Sequence, residues 1–161
     1  MTDNAPDPRH PVQRAFDLTD RLELLELYAR YTHAFDRADA AACAALFTAD
    51  GVFTPPGAAP VIGRPALEQF FAVATARSHG SSHMVTDVLI DAEHPGVARG
   101  TARVLAVRTE ESVLRLLALG IYRDIFRYDG RRWLFGKRTI DSAVPAALSG
   151  AVLATANWPA P

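Results

Sequence analysis

Residues 18–53, LTDRLELLELYARYTHAFDRADAAACAALFTADGVF, contain the clearest structural pattern in the chain. At about 100° per residue, the first half of this stretch places apolar side chains on one stripe of a helix and charged side chains opposite them. The pattern predicts an amphipathic helix that begins near Thr19, which can act as its N-cap, and that ends at Asp36. The apolar stripe consists of Leu24, Leu27, Tyr28, Tyr31 and Phe35.

Asp36 occupies a distinctive position on this helix. On the helical wheel it lies about 20° from Leu25 and Ala29, at the border of the apolar stripe. A carboxylate that points toward the edge of a core needs a polar partner. Asp39 can cap a second short helix from Ala40 to Phe47, so two helices are predicted to meet beside Asp36.

Composition limits the class of protein. The chain has 161 residues, 49% of them hydrophobic, which suits one domain with a sizeable core. A formal net charge of −1 argues against a nucleic-acid surface, and no apolar run approaches the roughly 20 residues that span a bilayer. Cys43 is the single cysteine, which excludes an internal disulfide. Because the N-terminus also lacks the layout of a signal peptide, we expect a cytoplasmic protein.

The remaining elements are predicted from turn signals and hydrophobic runs. Residues 1–17 read as a flexible arm, and a brief strand after Gly51 stops at the paired prolines 55 and 56. Val61 and Ile62 form a second short strand, and a third helix runs from Gly63-Arg64-Pro65 to about Arg77. Four long β-rich stretches then predict an antiparallel meander, over residues 83–91, 97–108, 113–128 and 131–142.

Two details of the chain's second half are predicted with it. Asp129-Gly130 indicates a tight primed hairpin turn, which wants positive φ at both central residues. The tail, residues 143–161, is interpreted as a short helix that covers either a pocket or a neighbouring subunit, and the sequence does not decide between them.

Alternation along the strands predicts which faces are internal. In the third long strand, Tyr122, Asp124 and Phe126 share the internal face, whereas Arg115 and Arg123 lie on the other. The second strand has a face of small residues that lets a helix approach closely. The first strand is less clear, because the face opposite its histidine is the more uniformly apolar one and only a bulge would turn the histidine inward. These faces are His83, Val85, Asp87 and Leu89 against Met84, Thr86, Val88 and Ile90.

The order of three helices, short strands and a four-stranded meander resembles the cone-shaped α+β fold of the nuclear-transport-factor-two-like superfamily, and within it the SnoaL-like proteins. The resemblance covers residues 18–142 and implies three N-terminal helices packed on a curved mixed sheet that encloses a pocket. The matching segments are Leu18-Thr19-Asp20-Arg21, Tyr28, Tyr31, Asp36, residues 46–53, Gly63, Ser82-His83-Met84-Val85-Thr86-Asp87, residues 128–133 and Arg138.

This resemblance also implies a candidate reaction. Similar catalytic proteins, of the dehydrochlorinase and scytalone dehydratase types, pair an aspartate that ends the first helix with a histidine on the first long strand, and Asp36 and His83 match these positions. A carboxylate that accepts the imidazole N–H fixes the tautomer, so the other nitrogen can take a proton from substrate. The implied activity is a cofactor-independent lyase or isomerase, with no metal, acting on a small apolar cyclic or polyketide-like molecule in a homo-oligomer, a dimer or trimer.

The substrate pocket is predicted from aromatic and polar side chains near this pair. The tyrosines and the arginine of this set could donate hydrogen bonds to a developing oxyanion, and the remaining rings could form apolar walls. Tyr28 and Tyr31 are better explained as core aromatics than as proton donors, and Arg138 is either the buried partner of Asp124 or a substrate clamp. The set is Tyr28, Tyr31, Phe53, Tyr122, Phe126, Trp133 and Arg138.

Three alternatives stay open at this point. The Asp36–His83 pair could be purely structural, in a hydrophobic-ligand-binding or assembly module without turnover. The chain could instead resemble a small subunit of ring-hydroxylating dioxygenases. His79 and His83 have a spacing that suits a metal on a helix, but Gly80-Ser81-Ser82 indicates a turn and no third ligand is evident, so no metal site is predicted.

Overall fold

Three helices and seven strands make up the described structure. The computed structural model describes residues 16–111 and 113–142, and the backbone of 152–153. The order of elements agrees with the predicted α+β architecture. The elements are α1 (Leu18–Asp36), α2 (Ala40–Ala45), β1 (Phe47–Thr54), β2 (Val61–Ile62), α3 (Arg64–Arg77), β3 (Ser81–His94), β4 (Val97–Glu110), β5 (Val113–Tyr128), β6 (Trp133–Ser142) and β7 (Val152–Leu153).

The helices pack on one curved, unclosed sheet. Its strand order is β2-β1-β6-β5-β4-β3, with β7 paired to β5. Strands β3 to β6 form the predicted antiparallel meander, and β1 runs parallel to β6, so the sheet is mixed. The cone-shaped α+β fold expected from the resemblance is confirmed.

Helix α1 begins at Leu18, because its N-cap lies two residues before the predicted one. Asp17, not Thr19, is its N-cap: the Asp17 carboxylate accepts a hydrogen bond from the Asp20 N–H, and the Asp20 carboxylate accepts one from the Asp17 N–H. This capping box satisfies backbone donors that the helix leaves unpaired. Asp20 also accepts a hydrogen bond from Trp133 Nε1 at 2.8 Å, which ties the start of α1 to β6. Helix α2 is capped by Asp39, as predicted, but it ends at Ala45 because Phe47 already belongs to β1.

The β5–β6 hairpin exists, but its turn differs from the prediction. Tyr128 pairs with Trp133, so the loop has four residues rather than two, and within it Gly130 alone has a positive φ, of 93°. The Asp129 carboxylate accepts hydrogen bonds from the N–H groups of Arg131 and Arg132. This side-chain cap stabilises the longer loop, which explains why the primed-turn prediction is wrong.

The core lies between α1 and the inner face of the sheet. On β5, the residues Tyr122, Asp124 and Phe126 that were predicted as internal are buried. The small-residue face of β4 allows α1 to come close: a Cβ at Gly100 would lie 2.6 Å from Phe126 Cε2 and 2.7 Å from the Tyr28 hydroxyl. The sheet therefore requires glycine there.

The β4–β5 hairpin extends past this core. Strand β6 pairs with β5 only as far as Gly120, opposite Ser142, and beyond that point β7 pairs with β5 at Leu114 and Arg115. In the predicted C-terminal tail, residues 152–153 are extended rather than helical, and the rest of the tail and most of the N-terminal arm lie outside the described residues. No helix in the described part of the chain is long and apolar enough to cross a membrane.

Candidate active site

Asp36 and His83 are in direct contact. Asp36 ends α1 and His83 lies near the start of β3, and the two are 47 positions apart in the chain. His83 Nδ1 lies 2.5 Å from Asp36 Oδ1, and the backbone N–H of His83 donates to Asp36 Oδ2 at 2.9 Å. Both carboxylate oxygens are thus used to hold one residue. A neutral imidazole satisfies this contact with its proton on Nδ1, which leaves a lone pair on Nε2.

A β-bulge turns His83 toward the inner face. The register of β3 on β4 shifts between Thr86 and Leu89, and Asp87 has a φ of 52°. Before the bulge, His83 and Val85 face inward; after it, Val88 and Ile90 do. Simple alternation therefore gave the wrong phase for half the strand, because one extra residue reverses the faces.

The pair lies at the edge of the core rather than deep inside it. The side chains of His83 and Asp36 are 13% and 25% exposed. The Phe35 ring packs edge-on against the His83 ring, with centroids 4.9 Å apart. Among the described residues, none forms a hydrogen bond with His83 Nε2. The imidazole is therefore held on one side by a carboxylate and on another by an apolar ring.

Arg138 forms a buried ion pair with Asp124, the partner that strand alternation suggested. Its Nε and Nη2 donate to the two Asp124 oxygens at 2.8 and 2.9 Å, and both side chains are fully buried. The guanidinium carbon lies 3.9–5.1 Å from the centroids of four aromatic rings, those of Tyr28, Tyr31, Tyr122 and Phe135. Burial alone lowers the pKa of Arg138, but the Asp124 charge and hydrogen bonds outweigh it, and the net pKa lies above its usual range.

The other predicted pocket residues are packed against each other. Tyr28, Tyr31, Phe53, Tyr122 and Phe126 are each at most 3% exposed. Burial raises the pKa of Tyr122 to about 12, with the Arg138 charge opposing and the Asp124 and Asp36 charges adding to the shift. The phenols therefore stay neutral hydrogen-bond donors at ordinary pH. Their role as pocket walls stays a prediction.

Trp133 is not brought to the Asp36–His83 pair. It is bound to Asp20, 16 residues before Asp36 on the same helix, which corresponds to about 24 Å along the helix axis. Trp133 packs against Phe16 and Tyr128 at that far end.

Comparison with known proteins identifies the family of this chain. A family model described as "SnoaL-like domain" matches residues 17–139, most of the chain. The chain belongs to the SnoaL-like domain family. This confirms the resemblance found in its sequence, and no curated protein matches it significantly.

Solved structures share the fold of this SnoaL-like domain. An NTF2-like protein with a cystatin-like fold from Novosphingobium aromaticivorans is 25% identical with a TM-score of 0.73, over 82% of this chain and 87% of that one. A protein from the same organism, provisionally named a scytalone dehydratase, is 22% identical with a TM-score of 0.70, over 79% and 86%. A protein from Catenulispora acidiphila in complex with S-DNPA is 26% identical with a TM-score of 0.68, over 78% and 95%.

The described part of the SnoaL-like domain contains no cluster of three His, Cys, Asp or Glu side chains that could ligate a metal. Cys43 is fully buried in α2, and burial, followed by the charges of Asp39 and Asp36, raises the pKa of its thiol to about 12. Such a thiol is a packing residue and not a nucleophile at neutral pH.

Sequence reasoning missed a group of polar residues beyond His83. Arg115 was assigned to the outer face with Arg123, but the β4–β5 register shifts between Ala106 and Val107, where β5 has one extra residue. Arg115 consequently pairs with Arg108, on the inner face of the SnoaL-like domain's sheet. No signal in the sequence could have placed Arg115 on this face, because a bulge has no distinctive composition.

Proposed function

We propose that this protein is a cofactor-independent lyase or isomerase, of the dehydratase or cyclase kind, in which His83 is the general base and Asp36 orients it. The observation that supports this most strongly is the double contact of Asp36 with the ring and the backbone N–H of His83. One carboxylate oxygen holds the imidazole and the other holds the backbone N–H of the same residue, so the ring is fixed relative to β3. Fixing the ring and its tautomer is what a histidine base requires.

The proposed reaction begins with proton transfer. His83 Nε2 takes a proton from a carbon next to a carbonyl or leaving group of an apolar substrate, and the C–H electrons form a new double bond or an enolate. The imidazolium that results is stabilised by the Asp36 carboxylate. It then returns its proton, either to the departing hydroxyl in an elimination or to another carbon in an isomerisation. His83 thus acts as the base in the first step and as the acid in the second.

The surroundings of the pair suit an apolar substrate. Phe35 covers one side of the imidazole, and the aromatic core lies directly behind it. A base at the edge of an apolar core is partly shielded from water, which strengthens the interaction between imidazolium and carboxylate. The complex of the Catenulispora acidiphila protein with S-DNPA indicates that a related fold accommodates a small molecule.

The proposal is tested with 5-nitrobenzisoxazole, an apolar aromatic probe that reports on a base without knowledge of the natural substrate. Removal of its carbon-bound proton forms a nitrile, breaks the N–O bond and releases a coloured phenolate, so the reaction needs nothing but a base. We expect the wild-type protein to accelerate this opening. His83→Ala should lose about 10²-fold of that acceleration or more, and Asp36→Asn a smaller but clear fraction.

A matched control is available on the same helix. Within the described residues, the exposed side chain of His33 forms no hydrogen bond or ion pair with Asp36 or His83, so His33→Ala removes an imidazole without removing a contact of the pair. This variant should retain the wild-type rate. Equal rates for wild type and His83→Ala, both with a native circular dichroism spectrum, would contradict the proposal.

A further inference from the structure

A group of charged side chains lies on the inner face of the sheet, beyond His83 and outside the packed core. It consists of Arg108 and Glu110 on β4 and Arg115 on β5, in the part of the hairpin that β6 does not cover. Ser81 adjoins them on β3, opposite Arg108. We name this group the arginine cluster. None of its members belongs to the predicted pocket.

The strand register fixes the position of the arginine cluster relative to the proposed base. His83 lies opposite Ala106, and Ser81 lies opposite Arg108, with no irregularity between the two pairs. Residues directly opposite in antiparallel strands share a face, and a diagonal neighbour has its Cα about 7–8 Å away. Arg108 is such a diagonal neighbour of His83. The bulge in β5 then places Arg115 opposite Arg108, on the same face.

The arginine cluster carries two positive charges, on Arg108 and Arg115, and one negative charge, on Glu110. Glu110 contacts both guanidiniums, with Oε1 2.5 Å from Arg108 Nη2 and Oε2 2.5 Å from Arg115 Nε. A single carboxylate thus serves two arginines. By contrast, the arginines of the outer face each have a carboxylate of their own: Arg99 with Glu93 and Arg123 with Asp141.

Buried donors in the arginine cluster also lack partners. Within the described residues, Arg108 Nε and the Ser81 hydroxyl are buried without a hydrogen-bond partner, and Ser81 is 5% exposed as a whole. Leaving a buried donor unpaired is unfavourable. The Arg108 side chain is partly shielded from solvent, with 29% of it exposed. A partly buried guanidinium with an unused donor, in a cluster with an excess positive charge, is suited to an anion.

We propose that the arginine cluster binds the carboxylate of the substrate. This inference rests on the proposed function and narrows its substrate class to molecules with an apolar body and one carboxylate. The apolar body lies against Phe35 and His83, and the carboxylate reaches Arg108 and Arg115. The acidic carbon of such a molecule lies several bonds from its carboxylate, as the spacing of the two sites requires.

The test compares the binding of two probes of the same shape, 2-naphthoate and 2-naphthamide, by isothermal titration calorimetry. The wild-type protein should bind 2-naphthoate about tenfold more tightly or better, because a hydrogen bond to a charged group is the stronger one. Arg108→Gln/Arg115→Gln should remove most of this preference. Equal affinity of the wild-type protein for the two probes would overturn the proposal without any variant.

The matched control is Arg99→Gln/Arg123→Gln. It removes two positive charges from the same two strands, on the outer face, and should leave the preference unchanged. An equal loss in this control would show that net charge, rather than the arginine cluster, sets the preference, and would also overturn the proposal. Should the inner double variant fail to fold, Arg115→Gln alone serves, since this side chain is 39% exposed; it should lower the preference several-fold.

The outcome is separable from that of the proposed function. His83→Ala should keep the preference for 2-naphthoate, since the imidazole does not contact the arginine cluster in the described structure. A retained preference together with an unaltered ring-opening rate in His83→Ala would reject the base and keep the anion site. If His83→Ala loses the ring-opening activity and the wild-type protein binds the two probes equally, the base is supported and the anion site is rejected.

Discussion

Arg138 and Asp124 share two parallel hydrogen bonds, and neither side chain is exposed to solvent. They pair across adjacent strands, at directly opposite positions of β5 and β6. Because both Asp124 oxygens are used and four rings surround the guanidinium, this arginine fills the core as an ion pair. The sequence left open whether Arg138 is a buried ion-pair partner or a substrate clamp. These contacts favour the ion pair.

Breaking this pair should destabilise the protein strongly. In Arg138→Met the Asp124 carboxylate stays buried without its partner, which costs about 3–5 kcal/mol of unfolding free energy. Asp124→Leu should have a comparable effect, since it strands the guanidinium. The double variant should lose clearly less than the sum of the two. Urea denaturation of all four proteins measures these values, and additive losses would show that the two side chains do not depend on each other.

The bulge at Asp87 should tolerate glycine but not a β-branched residue. Its φ of 52° lies in the left-handed region, where a β-branched side chain is strained. Asp87→Val should therefore lower the unfolding free energy by about 1–2 kcal/mol. Asp87→Gly loses the exposed ion pair with Arg103, worth about 0–1 kcal/mol, and a long hydrogen bond from the Thr86 hydroxyl, and it regains part of that through freer backbone geometry. Chemical denaturation of both variants checks the order, and a more stable Val variant would contradict it.

Stability should fall in alkaline solution through the buried tyrosines. The pKa of Tyr122 is raised from 10.0 to about 12, and burial also raises the pKa values of Tyr28 and Tyr31. The native state thus keeps protons that the unfolded chain releases, so the stability that Tyr122 contributes is complete below pH 10 and is lost as the pH rises toward 12.

One such group should lower the free energy of unfolding by at most about 1.4 kcal/mol per pH unit. Urea denaturation between pH 8 and pH 11.5 measures it, and Tyr122→Phe is the control. This variant should show a shallower decline, because it lacks the Tyr122 phenol while Tyr28 and Tyr31 remain. Identical slopes would mean that Tyr122 does not contribute, whatever its burial.

Much of the architecture was predictable because local patterns and global fold agree. The apolar stripe of α1, the Asp39 cap and the meander of β3 to β6 are all present. The predictions fail where two local structures compete and the sequence pattern does not distinguish them. Thr19 and Asp17 are both good caps, and Asp17 prevails because Asp20 can complete a capping box with it. The four-residue loop forms instead of the primed turn because the Asp129 carboxylate caps it.

The candidate site was predictable only in part. Asp36 and His83 were identified by their match to a family pattern, while alternation alone placed His83 on the wrong face of β3. The arginine cluster was not found at all, because a second bulge, in β5, reverses the face of Arg115. A bulge adds one residue without a distinctive composition, so nothing in the sequence marks it.

The sequence by itself determined the elements, their order and the residues able to carry charge or a proton, because hydrophobic periodicity and capping are local properties of the chain. Only the tertiary structure decided which of these side chains meet. Two β-bulges and the contact between the end of α1 and the start of β3 bring Asp36 to His83 and turn two arginines toward the same face. Such encounters depend on strand register, and register is fixed by the packing of the whole sheet rather than by any one stretch.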